Sequence, residues 1–296
     1  MIHKNALLTD NIITWILRFN ILISVITTIS VFVVIGTETL AFFKHVSFFE
    51  FITGTRWEPL LDPRSFGIWP LICGSFIVVV GAMILALPSG IAVAVFFNEF
   101  SSPQLRRWIK PIVEILAGIP TVVYGYFALT FVTPLLRNFL PGIQVFNALS
   151  GTIVVAIMIL PMISSMTDDA FRDVPRTLRE GAYALGATRF ETITQILIPA
   201  TLSRIGAICI LAMSRAVGET MAVTLAAGAT PKMTLNPLES IQTLTAYIVQ
   251  VSMGDVPAGG VEYLTVFSVG AVLFVITFFL NVIGYRLIRN AQMELG

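Results

Sequence analysis

Two charged side chains, Arg215 and Glu219, stand four residues apart inside the otherwise uncharged run 205–231. A charge at the centre of an apolar span costs about 2.5–3.5 kcal/mol on insertion scales, so such groups face a bundle interior or a wet cavity. Their i, i+4 spacing predicts that both lie on one helix face. Arg215 falls about 13 residues into its expected span, roughly 20 Å along it, near mid-membrane or somewhat beyond. Gly206, Ala207, Ala212, Ser214, Ala216, Gly218 and Ala222 keep that helix thin, so that neighbours can approach closely. Arginine offers a permanent charge and a planar fork that matches oxyanions bidentately. Arg215 and Glu219, with Ser214 and Thr220 beside them, therefore mark a candidate path for an anion. A structural salt bridge between packed helices would use the same pair.

The elements that must hold these residues follow from composition. The 296 residues are 56% hydrophobic and only 12% charged, with a mean hydropathy of +0.88. Soluble domains carry about 25% charged residues, so the chain lacks the charge to coat a water-facing surface. The near balance of 18 Lys+Arg against 17 Asp+Glu excludes a polybasic nucleic-acid binder. What remains is an all-α, polytopic integral membrane protein. Its uncharged runs predict six transmembrane helices, near 15–36, 70–97, 112–135, 147–167, 202–227 and 263–287. The runs do not alternate as barrel strands would. With the N-terminus inside, inner segments carry 12 Lys and Arg, including Lys4 and Arg289, against 5 in outer segments. That asymmetry predicts a multi-pass cytoplasmic (inner) membrane protein with both termini cytoplasmic. Residues 1–44 read as a retained anchor helix, 45–68 as an extracytoplasmic loop and 69–287 as the core. Pro88, Pro120 and Pro161 are expected to interrupt their helices. In the outer segment 228–262, apolar positions 238, 241, 244 and 248 predict an amphipathic helix at the outer surface, there either to line an outer gate or meet a binding protein, or simply to pack over the bundle.

Other chemistry is thin. Cys73 and Cys209 lie in apolar runs, where a thiol behaves as a small hydrophobe. His3 and His45 have no partner at metal-ligand spacing, so neither a metal site nor a cofactor is expected. No nucleophile–histidine arrangement suggests an enzyme. No G-x-x-x-x-G-K-[ST] phosphate loop is present, so ATP chemistry would fall to a separate subunit. Glu114, near the inner end of the third helix, reads as structural.

The longest inner segment, 168–201, has a helical grammar. Val174-Pro175 is a natural helix entry, and apolar residues at 178, 182 and 185 share one face. Gly186 suits a left-handed stop, and a second helical stretch then runs to Pro199. Two short helices meeting at a glycine project a knob. Within it, Glu180-Gly181-Ala182, three residues, Gly186, nine residues and Ile196-Leu197-Ile198-Pro199 resemble the cytoplasmic signature of ATP-binding-cassette importer permeases. Gly181 and Ile198 depart from that pattern.

The resemblance narrows further. Trp57-Glu58-Pro59 with Phe66-Gly67-Ile68-Trp69-Pro70, then Glu114-Ile115-Leu116-Ala117-Gly118-Ile119-Pro120, and Ser214 to Thr224 around Arg215 and Glu219, are similar to the C-type permease of phosphate-specific transport systems. It implies a type I importer permease fold and a coupling helix at about 176–190, with Glu180, Gly181, Ala182, Gly186, Ile196 and Pro199 in the ATPase-coupling element. It also implies alternating-access transport of phosphate beside an A-type permease, a cytoplasmic ATPase dimer, an extracytoplasmic phosphate-binding protein and membrane lipid. On this reading Glu219 neutralises Arg215 at rest and competes with phosphate for it. A permease for sulfate or molybdate, or an ion-coupled secondary transporter, are the alternatives.

Overall fold

The computed structural model describes residues 2–254, 256–257 and 259–293, with side chains at 13–254, 256–257 and 259–287. The side chains of His3, Lys4 and Arg289 lie outside that set. Helix α1 (Ile2–Phe42) is apolar on nearly every side over 13–42 and exposes almost all of it. A helix hydrophobic all round belongs in a membrane. It leans on the rest of the chain along one edge, through Phe32 against Phe274 and a 3.1 Å bond from the Thr39 hydroxyl to the Phe267 carbonyl.

A short helix α2 (Phe48–Thr53) precedes a two-stranded ribbon, β1 (Trp57–Glu58) against β2 (Ser65–Phe66), with Trp57 opposite Phe66. Helix α3 (Trp69–Val95) continues through a π turn at Phe96–Phe100. Then come α4 (Pro103–Gly118) and α5 (Thr121–Phe127), which leads by a second π turn into α6 (Thr133–Arg137). Helix α7 (Ala148–Arg172) is followed by α8 (Arg176–Ala184) and α9 (Arg189–Thr192). A third π turn opens α10 (Ile198–Val217), and α11 (Met221–Ala227), α12 (Leu244–Met253) and α13 (Val261–Met293) complete the order.

Five helical stretches are long and apolar enough to cross a membrane: Ile13–Phe42, Trp69–Phe100, Ala148–Arg172, Arg189–Val217 and Val261–Leu287. The all-α, polytopic expectation is met, with a correction at the third span. It is no straight helix over 112–135 but a pair, Pro103–Gly118 and Thr121–Arg137, bent by 91°. Pro120 holds Ile119 extended (φ −69°, ψ 130°), which stops α4. The Tyr124 hydroxyl then donates to the freed Leu116 carbonyl at 2.6 Å. Pro88 and Pro161, by contrast, sit inside helices that continue through them.

A second correction concerns 202–227. Helix α10 starts earlier, at Ile198, stops at Val217, and gives way to α11 only at Met221. Nor does the second knob helix end at Pro199. That proline directly follows the π turn and the helix runs on through it, so Arg189–Val217 forms one rod. The third correction is the start of the outer helix, which is 244 and not 238; of its two expected roles, packing over the bundle is the one observed. Leu244, Ala246, Tyr247 and Val251 are buried, and α12 packs against α3, α11 and α13. The backbone before it bonds elsewhere: Ile241 N–H to the Ala227 carbonyl at 3.0 Å, and Leu244 N–H to Ser75 Oγ at 3.0 Å.

The main core lies between α3, α5, α7, α10 and α11. Helices α3 and α7 approach closely because α3 has no side chain where they meet. A Cβ on Gly81 would stand 2.7 Å from the Thr152 methyl, and one on Gly90 2.6 Å from that of Ile163. An aromatic cluster including Phe42, Phe51, Trp57, Phe66 and Tyr247 closes one end of the bundle. A smaller apolar cluster, Ala94, Phe171, Val174, Ile193, Leu197 and Ile205, underlies the knob at the other.

Candidate functional site

The break between α10 and α11 separates the two charges that the spacing had put on one face. Arg215 stands in the last turn of α10, exposed, and has no hydrogen-bond or ion-pair partner among the described residues. The nearby carbonyl end of the helix carries a partial negative charge that favours a cation there. Glu219 lies beyond Gly218, is only 8% exposed, and accepts a 3.1 Å bond from the Ala222 N–H at the start of α11. Its own carbonyl accepts from the Thr245 hydroxyl at 2.7 Å, which fastens the break to α12. The expected Arg215–Glu219 pairing is thus not made in this conformation. Each charge instead complements the end of a different helix.

Depth follows from neighbours. Ala227, the last residue of α11, meets Gly151 near the start of α7. The break precedes it by seven residues, roughly 10 Å further into the bundle at helical rise. Ser214 turns a hydroxyl into the protein that finds no partner. Thr220 spends its hydroxyl locally, on the Gly218 carbonyl at 3.0 Å. Glu114 stands half-exposed on α4, 3.9 Å from Lys110.

The knob is built by local rules. Ala187 N–H bonds to the Ala182 carbonyl and Gly186 N–H to that of Tyr183, both at 3.0 Å, which is the Schellman stop. It needs a left-handed residue, and Gly186 takes φ +86°. Thr188 and Glu191 then form a capping box that starts α9. Because those two bonds from Thr188 favour the carboxylate, the Glu191 pKa is held below the ordinary glutamate value. Ala182 is buried beneath the knob, whereas Glu180, Gly181 and Gly186 lie on its surface. Ile196 sits in the π turn and Pro199 just after it, in the first turn of α10. Apolar side chains stand outward, Leu185 at 90% exposure and Phe190 at 73%, with Leu178 beside them.

Sequence reasoning missed two acidic residues around which the knob end is organised. Asp168, fully buried near the end of α7, pairs with Arg106 and, at 3.3 Å, with Lys110, both on α4. Glu99, in the π turn after α3, pairs with Arg179 of α8 at 2.8 Å. These partners lie 62, 58 and 80 positions away in the chain, beyond any local spacing rule, although Arg172 also stands 3.9 Å from Asp168 at i+4. A usable signal was that Glu99 and Asp168 are acidic residues at the ends of long apolar runs, where an unpaired charge is costly.

The family model described as "Binding-protein-dependent transport system inner membrane component" matches residues 86–292. The "Probable ABC transporter permease protein YqgH" of Bacillus subtilis is 38% identical over 259 residues, covering 87% of this chain and 84% of its own length. The "Phosphate transport system permease protein PstC" of Mesorhizobium japonicum is 35% identical over 267 residues, covering 84% of this chain and 80% of that protein. Among solved structures, a chain of a bacterial alginate ABC transporter, in complex with an alginate-bound periplasmic protein, superposes with a TM-score of 0.64 at 17% identity. That match covers 93% of this chain and 94% of the other, and shows a shared fold.

Proposed function

The chain belongs to the inner membrane components of binding-protein-dependent transport systems, and on that premise we propose that it is the C-type permease subunit of an ATP-driven phosphate importer. One observation carries the choice of an anion. Arg215 is a guanidinium without a partner among the described residues, set in apolar sequence on the rod whose other end is the knob. Phosphate carries one to two negative charges and a large dehydration cost, and the planar fork of arginine replaces part of its hydration. A helix end balances the cation less tightly than a carboxylate would, so the anion has no acidic side chain to displace. The names of the relatives support phosphate over sulfate or molybdate.

In this reading a homologous A-type permease completes the site opposite Arg215. One subunit of the cytoplasmic ATPase dimer docks on Leu178, Leu185 and Phe190 of the knob, where exposed apolar surface beside charge suits a partner, and the other serves the A-type permease. A phosphate-binding protein meets the far end, near 45–68 and 228–262, and both termini are cytoplasmic. Closure of the ATPases pushes 176–190, and the Arg189–Val217 rod carries that displacement directly to Arg215. The protein is a transport component and not a catalyst.

The assembled complex in proteoliposomes is expected to take up labelled phosphate only when supplied with ATP. Unlabelled phosphate should compete, whereas sulfate and molybdate should not. Competition by those anions but not by phosphate would overturn the cargo. Uptake that an uncoupler collapses while ATP persists would overturn the energy source.

A further inference from the structure

We propose that Glu99 is the positioning residue that joins the coupling element to the helix bundle, an inference that rests on the permease reading above. Both arms of the knob end on the one π turn that closes α3. From α8, Arg179 Nη1 donates to Asn98 Oδ1 at 2.7 Å and to Glu99 Oε1 at 2.8 Å, and the Tyr183 hydroxyl donates to Glu99 Oε2 at 3.3 Å. From α9, Arg189 Nη1 donates to the Glu99 carbonyl at 3.2 Å, while its guanidinium sits 5.9 Å from the Phe100 ring centre. Arg179 also donates to the Phe171 carbonyl at the end of α7. One carboxylate thus gathers α8 with both oxygens, and the same residue holds α9 through its backbone.

Magnitude separates this joint from the nearby ion pair between the end of α7 and α10. Arg204 and Asp173 meet at 2.6 Å, but Asp173 is largely in solvent, where ion pairs contribute little. Glu99 and Arg179 are mostly buried, so water screens their attraction less. A π turn inserted in a long helix often marks a functional site, and this one displaces Asn98 and Glu99 from the regular α3 register. The knob itself is held by its own Schellman stop and capping box, which do not involve Glu99. Loss of the Glu99 charge therefore leaves the knob folded and able to receive an ATPase, while its hold on α3 weakens to the Asn98 and backbone contacts. Force then reaches α10 more than α3, and the two helices shift less closely together.

The test compares wild type, Glu99→Gln and Glu99→Asp as complete complexes in proteoliposomes, measuring assembly, ATP hydrolysis and imported phosphate. In Glu99→Gln, assembly and hydrolysis should persist while ATP consumed per anion rises about fivefold or more, the lower range of coupling between sites. Glu99→Asp, which keeps the charge, should stay near the wild-type ratio. An unchanged ratio in Glu99→Gln, or an equal rise in Glu99→Asp, overturns the assignment. Failure of the wild-type complex to import phosphate is instead failure of the cargo reading, whereas wild-type import with an unchanged Glu99→Gln ratio is failure of the Glu99 assignment alone.

Discussion

The two ends of the Arg189–Val217 rod treat charge in opposite ways. At the knob end Glu99 is paired with Arg179, Asp168 with Arg106 and Lys110, and Asp173 with Arg204. At the far end Arg215 stands without a side-chain partner among the described residues, and Glu219 spends its carboxylate on a backbone N–H. Paired charges fix one arrangement of elements, because separating them strands a desolvated group. On the proposed function, an unpaired cation beside a helix end is open to a ligand that arrives and leaves. In that reading the knob end transmits position and the far end exchanges a ligand.

The comparison is broken most sharply by removing one charge from each end. Asp168→Asn should cost about 3 kcal/mol, since Arg106 and Lys110 lose the buried carboxylate they share. A lower unfolding midpoint of the purified complex would record it. Arg215→Gln should leave that midpoint unchanged and lower phosphate uptake by roughly 30-fold or more, the loss expected when a desolvated charge contact to a ligand is removed. Uptake near wild type in Arg215→Gln would remove the reason for reading the far end as a ligand site. Arg215→Lys should fall between, because it keeps the charge and loses the fork.

The next effect concerns how the break is held open. The Thr245 hydroxyl is buried and donates to the Glu219 carbonyl, so Thr245→Val leaves that carbonyl without its donor. The cost should be about 1–3 kcal/mol, with Thr245→Ser close to wild type. If Arg215 depends on the break for its setting, Thr245→Val also weakens apparent phosphate affinity, measured from the concentration dependence of uptake. A midpoint that falls with affinity unchanged would confine Thr245 to structure.

Much of this was legible in the sequence, for identifiable reasons. Apolar runs bounded by charge reveal spans, and Gly186 after a periodic stretch reveals the knob's stop, because both signals are local. The break after Val217 was hidden because Gly218 reads as one more small packing residue among Gly206, Ala212 and Ala216. Its sign was a glutamate placed three residues before Ala222, where a carboxylate can cap a new helix. The interruption at Pro120 was read from the proline itself, but the 91° bend was not, because the apolar run on both sides looks like one straight span. For Asp168 and Glu99 the sequence signalled only a costly charge at the end of an apolar run, because folding, and not spacing, brings Arg106, Lys110 and Arg179 to them.

Two glycines of the knob sharpen the comparison at smaller scale. Gly181 lies inside α8 with open space around its Cα, so Gly181→Ala should stabilise the knob by about 0.5–1 kcal/mol. Gly186 has the same open space but φ +86°, so Gly186→Ala should cost about 1 kcal/mol or more. Hydrogen exchange across 176–192 in the assembled complex should move in opposite directions for the two variants. Movement in the same direction would mean that contacts, and not backbone conformation, set the stability of the turn.

The smallest effect is a titration. Two bonds from Thr188, its N–H at 2.7 Å and its hydroxyl at 2.8 Å, hold the Glu191 pKa below the ordinary glutamate value. A depressed carboxylate pKa means that the capping box contributes its full stability above the unfolded value and loses it as pH falls through the folded one. Protection of the 188–192 amides, corrected for intrinsic exchange, should therefore be flat from neutral pH into the ordinary glutamate range and decline below it. Glu191→Gln keeps an acceptor but cannot titrate, so its protection should show no such decline.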